Sequence, residues 1–195
     1  MRKIVAGLFI SLDGVVEAPD QWHFPYFNDE MGAAVNATLG AADTVLFGAR
    51  PTTASRGHGL SARWRVARMR VPQRFSATSA RSWCSNQRLG FTWRNSEQLE
   101  GDLVETVNAL KTEPGGIISL SGSVSVVRQL LAACLVDELH LSVHPIAVRK
   151  GMRLFDKGET PMPLRLISSE AFKTGVLNLV YGPAESSGEA TARDV

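Results

Sequence analysis

The spacing of apolar residues predicts a strand–turn–helix–strand unit between Gly115 and Pro145. Residues 117–120 form a short apolar run with two β-branched isoleucines, which is typical of a buried strand. After the Ser-Gly-Ser turn at 121–123, apolar residues recur at helical spacing as far as Cys134. From Asp137 onward the period shifts to two, so a second strand is predicted to follow the helix.

The same two periods recur along most of the chain. Strands are predicted at 3–10, 44–47, 164–170 and 175–181, and helices at 28–42 and 101–112. This order predicts an α/β domain of three layers, with a mostly parallel central sheet, helices on both faces and a C-terminal antiparallel hairpin. We expect a single domain over residues 1–183, and the small polar residues of 184–195 predict a disordered tail.

One segment, residues 49–87, has neither period. No Asp or Glu occurs from Thr44 to Ser96, and ten of the sixteen arginines lie between Arg50 and Arg94. Arginines that contact phosphates and aromatic residues that stack on bases would suit nucleic-acid binding through 50–94. No periodic scaffold places these arginines on one face, however, so the sequence favours an irregular segment without a partner over a nucleic-acid module.

Composition narrows the class of protein. No apolar run approaches the ~20 residues that span a bilayer, and the first residues lack the pattern of a signal peptide. The two cysteines, Cys84 and Cys134, lack metal-ligand spacing, so we expect no metal site and a core position for Cys134. These features predict a cytoplasmic protein without a membrane anchor.

Two stretches carry candidate chemistry. A glycine turn that leads into a helix leaves backbone N–H groups available to a phosphate, and Gly122 would let that phosphate approach closely. Asp13 follows the first strand, at the end where open α/β sheets place ligands. The aromatic loop 17–27 either covers the core or stacks on a planar ligand through Trp22, whereas His23 is expected at the surface.

Three pieces of the chain, taken in order, resemble the dihydrofolate-reductase-like superfamily, and within it the reductase domain of riboflavin biosynthesis and its stand-alone bacterial relatives. They are IVAGLFISLDGVV, ADTVLFG and ISLSGSVSVVRQLLAACLVDELHLSVHPIAVRKGMRLF. The resemblance covers roughly residues 1–48 and 88–182. Because it stops at Gly48 and resumes near Leu89, we hypothesise that 49–87 is read out of frame relative to its relatives.

The resemblance implies an NADPH-dependent reductase that transfers a hydride to a C=N of a pterin- or pyrimidine-like substrate, of the 5-amino-6-(5-phosphoribosylamino)uracil reductase type. A nucleic-acid-binding protein, or a reductase fold without catalysis, is the alternative. Relatives of this family commonly pair, so a homodimer is expected. The implied cofactor-binding residues are Ala6, Gly48, Ser121, Gly122, Ser123, Val124 and Ser125. The implied substrate-binding residues are Ser11 and Trp22, with Asp13 as the catalytic residue that orients the substrate or relays a proton.

Overall fold

A computed structural model describes residues 1–49, 65–70, 96–99, 101–121, 123–155 and 161–184, with backbone only at 47–49, 65–70 and 96–99. The strands are β1 (Ile4–Ser11), β2 (Ala42–Ala49), β3 (Arg65–Arg70), β4 (Ser96–Leu99), β5 (Ile117–Ser121), β6 (Glu138–His144), β7 (Leu164–Ala171) and β8 (Leu177–Pro183). The α-helices are α1 (Asp29–Gly40), α2 (Leu103–Thr112) and α3 (Val124–Ala132). Two short 3-10 helices, Pro19–Gln21 and Phe24–Tyr26, lie between β1 and α1.

The eight strands form one mixed sheet in the order β4-β3-β2-β5-β1-β6-β8-β7. Its centre is parallel, since β5 pairs with β2 and β1, and β1 pairs with β6. Both margins are antiparallel, with β3 and β4 on one side and β8 and β7 on the other. The predicted α/β class, parallel centre and C-terminal hairpin are confirmed. The carboxyl ends of four central strands therefore meet at one edge, where such sheets hold ligands.

The two faces of the sheet carry separate apolar clusters, as a three-layer domain requires. On β1, Ile4, Ala6 and Ile10 join the larger cluster, which includes the buried faces of α2 and α3. Phe9 points to the other face, where it packs against a smaller cluster around Met31 of α1. Successive side chains of a strand alternate between faces, so this division follows from the sequence of β1.

The helices begin where the sequence offers capping residues. Asn28 precedes α1 and accepts a hydrogen bond from the Met31 amide at 3.0 Å. Asp102 precedes α2 and accepts from the amides of Val104 and Glu105. Both acceptors are typical N-caps. Among the described residues, no helix is both long and apolar enough to cross a membrane.

Two predictions about local structure are wrong. The predicted irregular segment 49–87 contains β3, because backbone hydrogen bonds to β2 and β4 stabilise these six residues without any apolar period. Cys134 is exposed, because α3 ends at Ala132 and the chain turns there with a left-handed φ of 55°. The other residues of 49–87, Cys84 and the tail from 185 lie outside the described residues, and the proposed change of frame stays a prediction.

Candidate active site at the carboxyl edge of the sheet

A tight turn follows β1 and fixes the position of Asp13. The amide of Gly14 donates to the Ser11 carbonyl, and Gly14 adopts the left-handed φ of 85° that favours glycine. The buried Ser11 hydroxyl accepts from the Val15 amide at 2.9 Å and donates to Asp13 at 2.7 Å. Both hydrogen-bonding capacities of Ser11 therefore serve the turn.

Asp13 ties this turn to the loop that follows β6. Its carboxylate accepts from the amides of Val148 and Arg149 at 3.0 and 2.8 Å, and Arg153 Nε donates to its carbonyl at 2.9 Å. The Ser11 hydroxyl is the largest cause that lowers the pKa of Asp13 to about 2, and the two amides add to it. Asp13 is thus ionised at neutral pH and holds no proton to donate.

Two histidines and a set of aromatic rings occupy the α1 face of the same edge; we call His23, His144, Phe9, Trp22 and Tyr26 the histidine cluster. His144 ends β6, beside Ser11 at the end of β1. Its ring makes edge contacts with Phe9, Trp22 and Tyr26 at centroid distances of 5.5, 5.2 and 5.8 Å. His23 stacks on Phe9 at 4.7 Å, and its centroid lies 6.1 Å from that of His144. The cluster joins the aromatic loop to two central strands.

Burial sets the charge of both histidines. His23 is 2% exposed and His144 is fully buried. Burial, followed by repulsion from His144, lowers the pKa of His23 to about 4, and Asp20 opposes this shift. Burial also lowers the pKa of His144, against the opposing influence of nearby backbone carbonyls. Both imidazoles are therefore neutral at physiological pH.

The turn between β5 and α3 has an open helix start. Ser123 is the N-cap residue, but its side chain does not cap the helix. Its hydroxyl lies 3.2 Å from the hydroxyl of Ser125 instead. The first turn of α3 contains no acidic residue. Backbone amides at such a helix start are suited to an anion such as a phosphate.

Open space lies beside the centre of the sheet. A Cβ added to Gly7 would meet no described atom within 4 Å. Strand alternation points this space to the same face as Phe9, and Gly7 is in register with Ser121 at the end of β5. A planar group lying over Gly7 would therefore extend from the β5–α3 turn toward the histidine cluster.

These observations can be set beside known proteins. The family model described as the RibD C-terminal domain matches residues 2–178, nearly the whole chain. The chain belongs to the RibD C-terminal domain family. The match runs across 49–87, where the resemblance in the sequence is weakest. The predicted membership of the riboflavin-reductase branch is confirmed.

An uncharacterized protein YyaP from Bacillus subtilis is similar to this chain: it is 26% identical over 190 residues, which cover 92% of this chain and 94% of YyaP. Two solved structures share the fold. A putative riboflavin biosynthesis protein from Shewanella sp. PV-4 has a TM-score of 0.60 and 16% identity, covering 95% of this chain and 100% of its own. A pyrimidine reductase-like protein from Corynebacterium diphtheriae has a TM-score of 0.53 and 15% identity, covering 95% and 93%.

The structure brings several predicted site residues to the carboxyl edge. Ser11, Asp13, Trp22 and the residues of the β5–α3 turn lie there. Gly48 lies in β2, one residue before its end, while Gly122 falls outside the described residues. Trp22 is 7% exposed, and its indole donates to the Glu17 carbonyl at 3.1 Å. Direct contact of Trp22 or Ser11 with a substrate stays a prediction.

Ala6, a predicted cofactor-binding residue, has its side chain in the core, and contact of its backbone with a cofactor stays a prediction. It lies in the middle of β1, in register with Leu120 and Leu139, and its methyl group is fully buried in the larger core cluster. Its side chain is therefore part of the core on the α3 face of the sheet. The neighbouring Gly7 has the open space that a ligand requires.

Sequence reasoning missed the two histidines and Gly7. The sequence predicts His23 at the surface, but His23 and His144 are both buried, in contact with Phe9 and with rings of the aromatic loop. A glycine inside an apolar strand pattern often marks a site where another group approaches closely, and Gly7 fits that pattern. Among the described residues, no three His, Cys, Asp or Glu side chains converge as metal ligands.

Proposed function

We propose that this protein is an NADPH-dependent reductase that transfers a hydride to a C=N of a pterin- or pyrimidine-like substrate, in the manner of a riboflavin-pathway reductase. Its family membership supports a reductase. The observation that carries the proposal is the open space beside Gly7, level with the β5–α3 turn. That space suits the nicotinamide ring of a nicotinamide dinucleotide, and the uncapped helix start suits its pyrophosphate.

The residues that would hold the cofactor lie at the β5–α3 turn. The first amides of α3 would bind phosphate oxygens, assisted by the hydroxyls of Ser123 and Ser125. Gly7 leaves room for a planar ring to lie against the sheet. When bound, NADPH supplies the hydride, and the protein contributes by holding donor and acceptor carbons in contact.

Asp13 and the aromatic loop would shape the substrate side. Asp13 holds the loop after β6 against the turn after β1. This contact fixes the relative positions of the two segments at the carboxyl edge. Because its pKa is low, Asp13 is ionised and would orient hydrogen-bond donors of the substrate. The proton that completes the reduction would come from solvent. The buried rings of the histidine cluster would exclude other water from the reacting carbons.

The test is reduction itself. The protein is mixed with NADPH and either a 7,8-dihydropterin or a ribosylaminopyrimidinedione, and NADPH absorbance is followed. We expect NADPH oxidation that depends on one of these compounds, with a product two hydrogens heavier by mass spectrometry. NADPH that neither binds nor is oxidised with either compound would contradict the proposal and leave a reductase fold without catalysis.

We also propose that the protein forms a homodimer through the C-terminal hairpin. Leu139 and Leu141 of β6 are buried in the core, so they cannot supply the interface. Exposed apolar side chains instead lie on β7 and at its neighbour β8, namely Leu166, Ile167 and Leu177. Exposed apolar residues along an edge strand are suited to pairing with a second copy. A cytoplasmic location stays a prediction.

A further inference from the structure

Three buried ring nitrogens in the histidine cluster have no hydrogen-bond partner among the described residues. They are both nitrogens of His23 and Nε2 of His144. Buried polar groups are nearly always paired, and an unpaired one destabilises the fold. Three such atoms within two adjacent rings therefore point to a missing partner of complementary chemistry.

The hydrogen-bonding roles of these nitrogens follow from their surroundings. Nδ1 of His144 lies 2.9 Å from the Ser142 carbonyl oxygen, which can only accept. The Ile10 carbonyl also acts on this ring, but Nδ1 is the nitrogen that has a hydrogen-bond partner among the described residues. In the neutral ring the proton is therefore assigned to Nδ1, and Nε2 presents a lone pair. Neutral His23 has one N–H donor and one acceptor. A group that complements both rings must therefore carry a hydrogen-bond donor and a hydrogen-bond acceptor within a few ångströms of each other.

The walls around these atoms are flat and aromatic. The ring of His23 lies between Phe9 and Phe24, at centroid distances of 4.7 and 4.2 Å. Trp22 and Tyr26 present their rings at right angles to His144. The open space at Gly7 adjoins Phe9 on the same face. Such walls suit a planar ring that stacks on one aromatic face.

Residues 18–27 of the aromatic loop form backbone hydrogen bonds within that segment. Among the described residues, the backbone hydrogen bonds that residues 18–27 form outside regular helices and strands all stay within this segment. The indole of Trp22 also bonds locally, to the Glu17 carbonyl. Ala18 has a left-handed φ of 45°, which is strained for a non-glycine residue. Moving His23 out of its stack would break no hydrogen bond of its ring.

We propose that His144 and His23 recognise the lactam edge of a neutral planar heterocycle, a ring N–H beside a carbonyl, admitted by movement of residues 18–27. Nε2 of His144 accepts the ring N–H, and the N–H of His23 donates to the adjacent carbonyl. The heterocycle stacks on Phe9 and extends over Gly7. This assignment rests on the proposed reductase function for its substrate class, and it makes His144 the residue that selects ring edges carrying N–H.

The test uses two probes that differ only in the groups at issue. Uracil has lactam N–H groups, and 1,3-dimethyluracil lacks them. Full-length protein labelled with ¹⁵N-histidine is titrated with each probe, without cofactor, while the Nε2 resonance of His144 is followed by long-range ¹H–¹⁵N spectra. We expect a saturable shift of that resonance with uracil and at least about tenfold weaker binding of 1,3-dimethyluracil, because one hydrogen bond of about 1.4 kcal/mol is lost.

Two variants test whether His144 causes the preference for uracil over 1,3-dimethyluracil. His144→Phe keeps a buried ring and should lose the preference for uracil. His140→Gln, on the same strand but bonded to Thr38 and Glu138, should retain it. Equal binding of both probes to the unaltered protein, or no His144 shift up to the solubility of uracil, would overturn the proposal whether or not His144→Phe folds.

An NADPH titration on the same sample separates this proposal from the reductase function. NADPH binding without a uracil-dependent His144 shift refutes the lactam site alone. A uracil-dependent shift without NADPH binding refutes the reductase alone.

Discussion

At the scale of residues, the histidine cluster couples the stability of the protein to pH. His23 is neutral in the folded state because burial lowers its pKa from the ordinary 6.5 to about 4, and the pKa of His144 is lowered in the same direction. In the unfolded chain both rings regain an ordinary pKa. Since the unfolded state binds protons more readily, stability from the neutral rings is full above pH 6.5 and is lost as pH falls toward 4.

The loss of stability at low pH should be smaller in the variant His23→Phe. The phenyl ring keeps the stack between Phe9 and Phe24 but cannot take up a proton. Urea unfolding between pH 7 and pH 4 should show that the variant loses less stability on acidification than the unaltered protein. Gly40→Ala, which alters no titrating group, serves as the control, and its stability should change with pH as that of the unaltered protein does. Parallel pH curves for His23→Phe and the unaltered protein would contradict a buried neutral His23.

Gly7 offers a second prediction at this scale. Valine at this position has free space for its Cβ and suits a strand, so Gly7→Val should fold with unchanged or raised stability. The same side chain would fill the space proposed for a planar ring. We expect NADPH affinity to fall at least about tenfold in fluorescence titrations, the equivalent of about 1.4 kcal/mol.

Gly40→Ala is the matched control, because a Cβ at Gly40 also meets no described atom within 4 Å but lies at the end of α1. Its NADPH affinity should be unchanged. Unaltered NADPH binding by a folded Gly7→Val variant would show that the space beside Gly7 is not used.

At the scale of elements, a buried arginine fixes the amino-terminal edge of the sheet. Arg2 is 4% exposed; it pairs with Asp43 and donates to Thr44 Oγ1 at 2.8 Å and to the Gly116 carbonyl at 2.9 Å. Asp43 also accepts from the Gly116 amide. These contacts link β2 to the segment before β5 and to the start of β1. The register of the strands that carry the opposite edge depends on them.

The two partners of this pair should differ in their response to mutation. Asp43→Ala leaves the buried Arg2 without its counter-charge, which costs about 3 kcal/mol or more. Arg2→Met leaves Asp43 half-exposed to water and should cost less. Urea unfolding of both variants measures the difference. A larger loss for Arg2→Met than for Asp43→Ala would show that packing of the Arg2 stem, and not its charge, dominates.

Periodicity alone predicted where most elements lie and how they are ordered, because helix and strand spacings are local properties of the chain. The N-caps at Asn28 and Asp102 are local in the same way. The burial of His23 and His144 was not predictable, because it depends on β1, β6 and α1 meeting across more than a hundred residues of sequence. β3 was missed because pairing with β2 and β4, and not its own pattern, makes it a strand.

At the scale of the whole molecule, the sheet ends at the exposed edge strand β7, which carries two exposed apolar side chains. A register shift between Leu166 and Ser168 interrupts its pairing with β8. Leu166 and Ile167, at this irregularity, are 49% and 47% exposed. Covering them with the same hairpin of a second copy would remove an edge that otherwise promotes aggregation.

The proposed dimer predicts a mass of twice the 21.1 kDa chain by light scattering at micromolar concentration. Lysines in the double variant Leu166→Lys/Ile167→Lys would place like charges in the interface and should yield a monomer with unchanged secondary structure by circular dichroism. A monomeric mass for the unaltered protein would contradict the proposal. A dimeric mass for the lysine variant would move the interface away from β7.

In the proposed complex a nicotinamide dinucleotide lies at the carboxyl edge with its phosphates on the β5–α3 turn, and NADPH titration of Ser125→Asp tests this placement. An aspartate in the first turn of α3 interacts favourably with the helix dipole, so the fold should be retained. Its negative charge would repel a phosphate bound there. Tryptophan fluorescence should show saturable NADPH binding to the unaltered protein and to the uncharged control Ser125→Asn, and at least about tenfold weaker binding to Ser125→Asp. Equal NADPH affinity for Ser125→Asp and Ser125→Asn, or no saturable binding to the unaltered protein, would contradict the account.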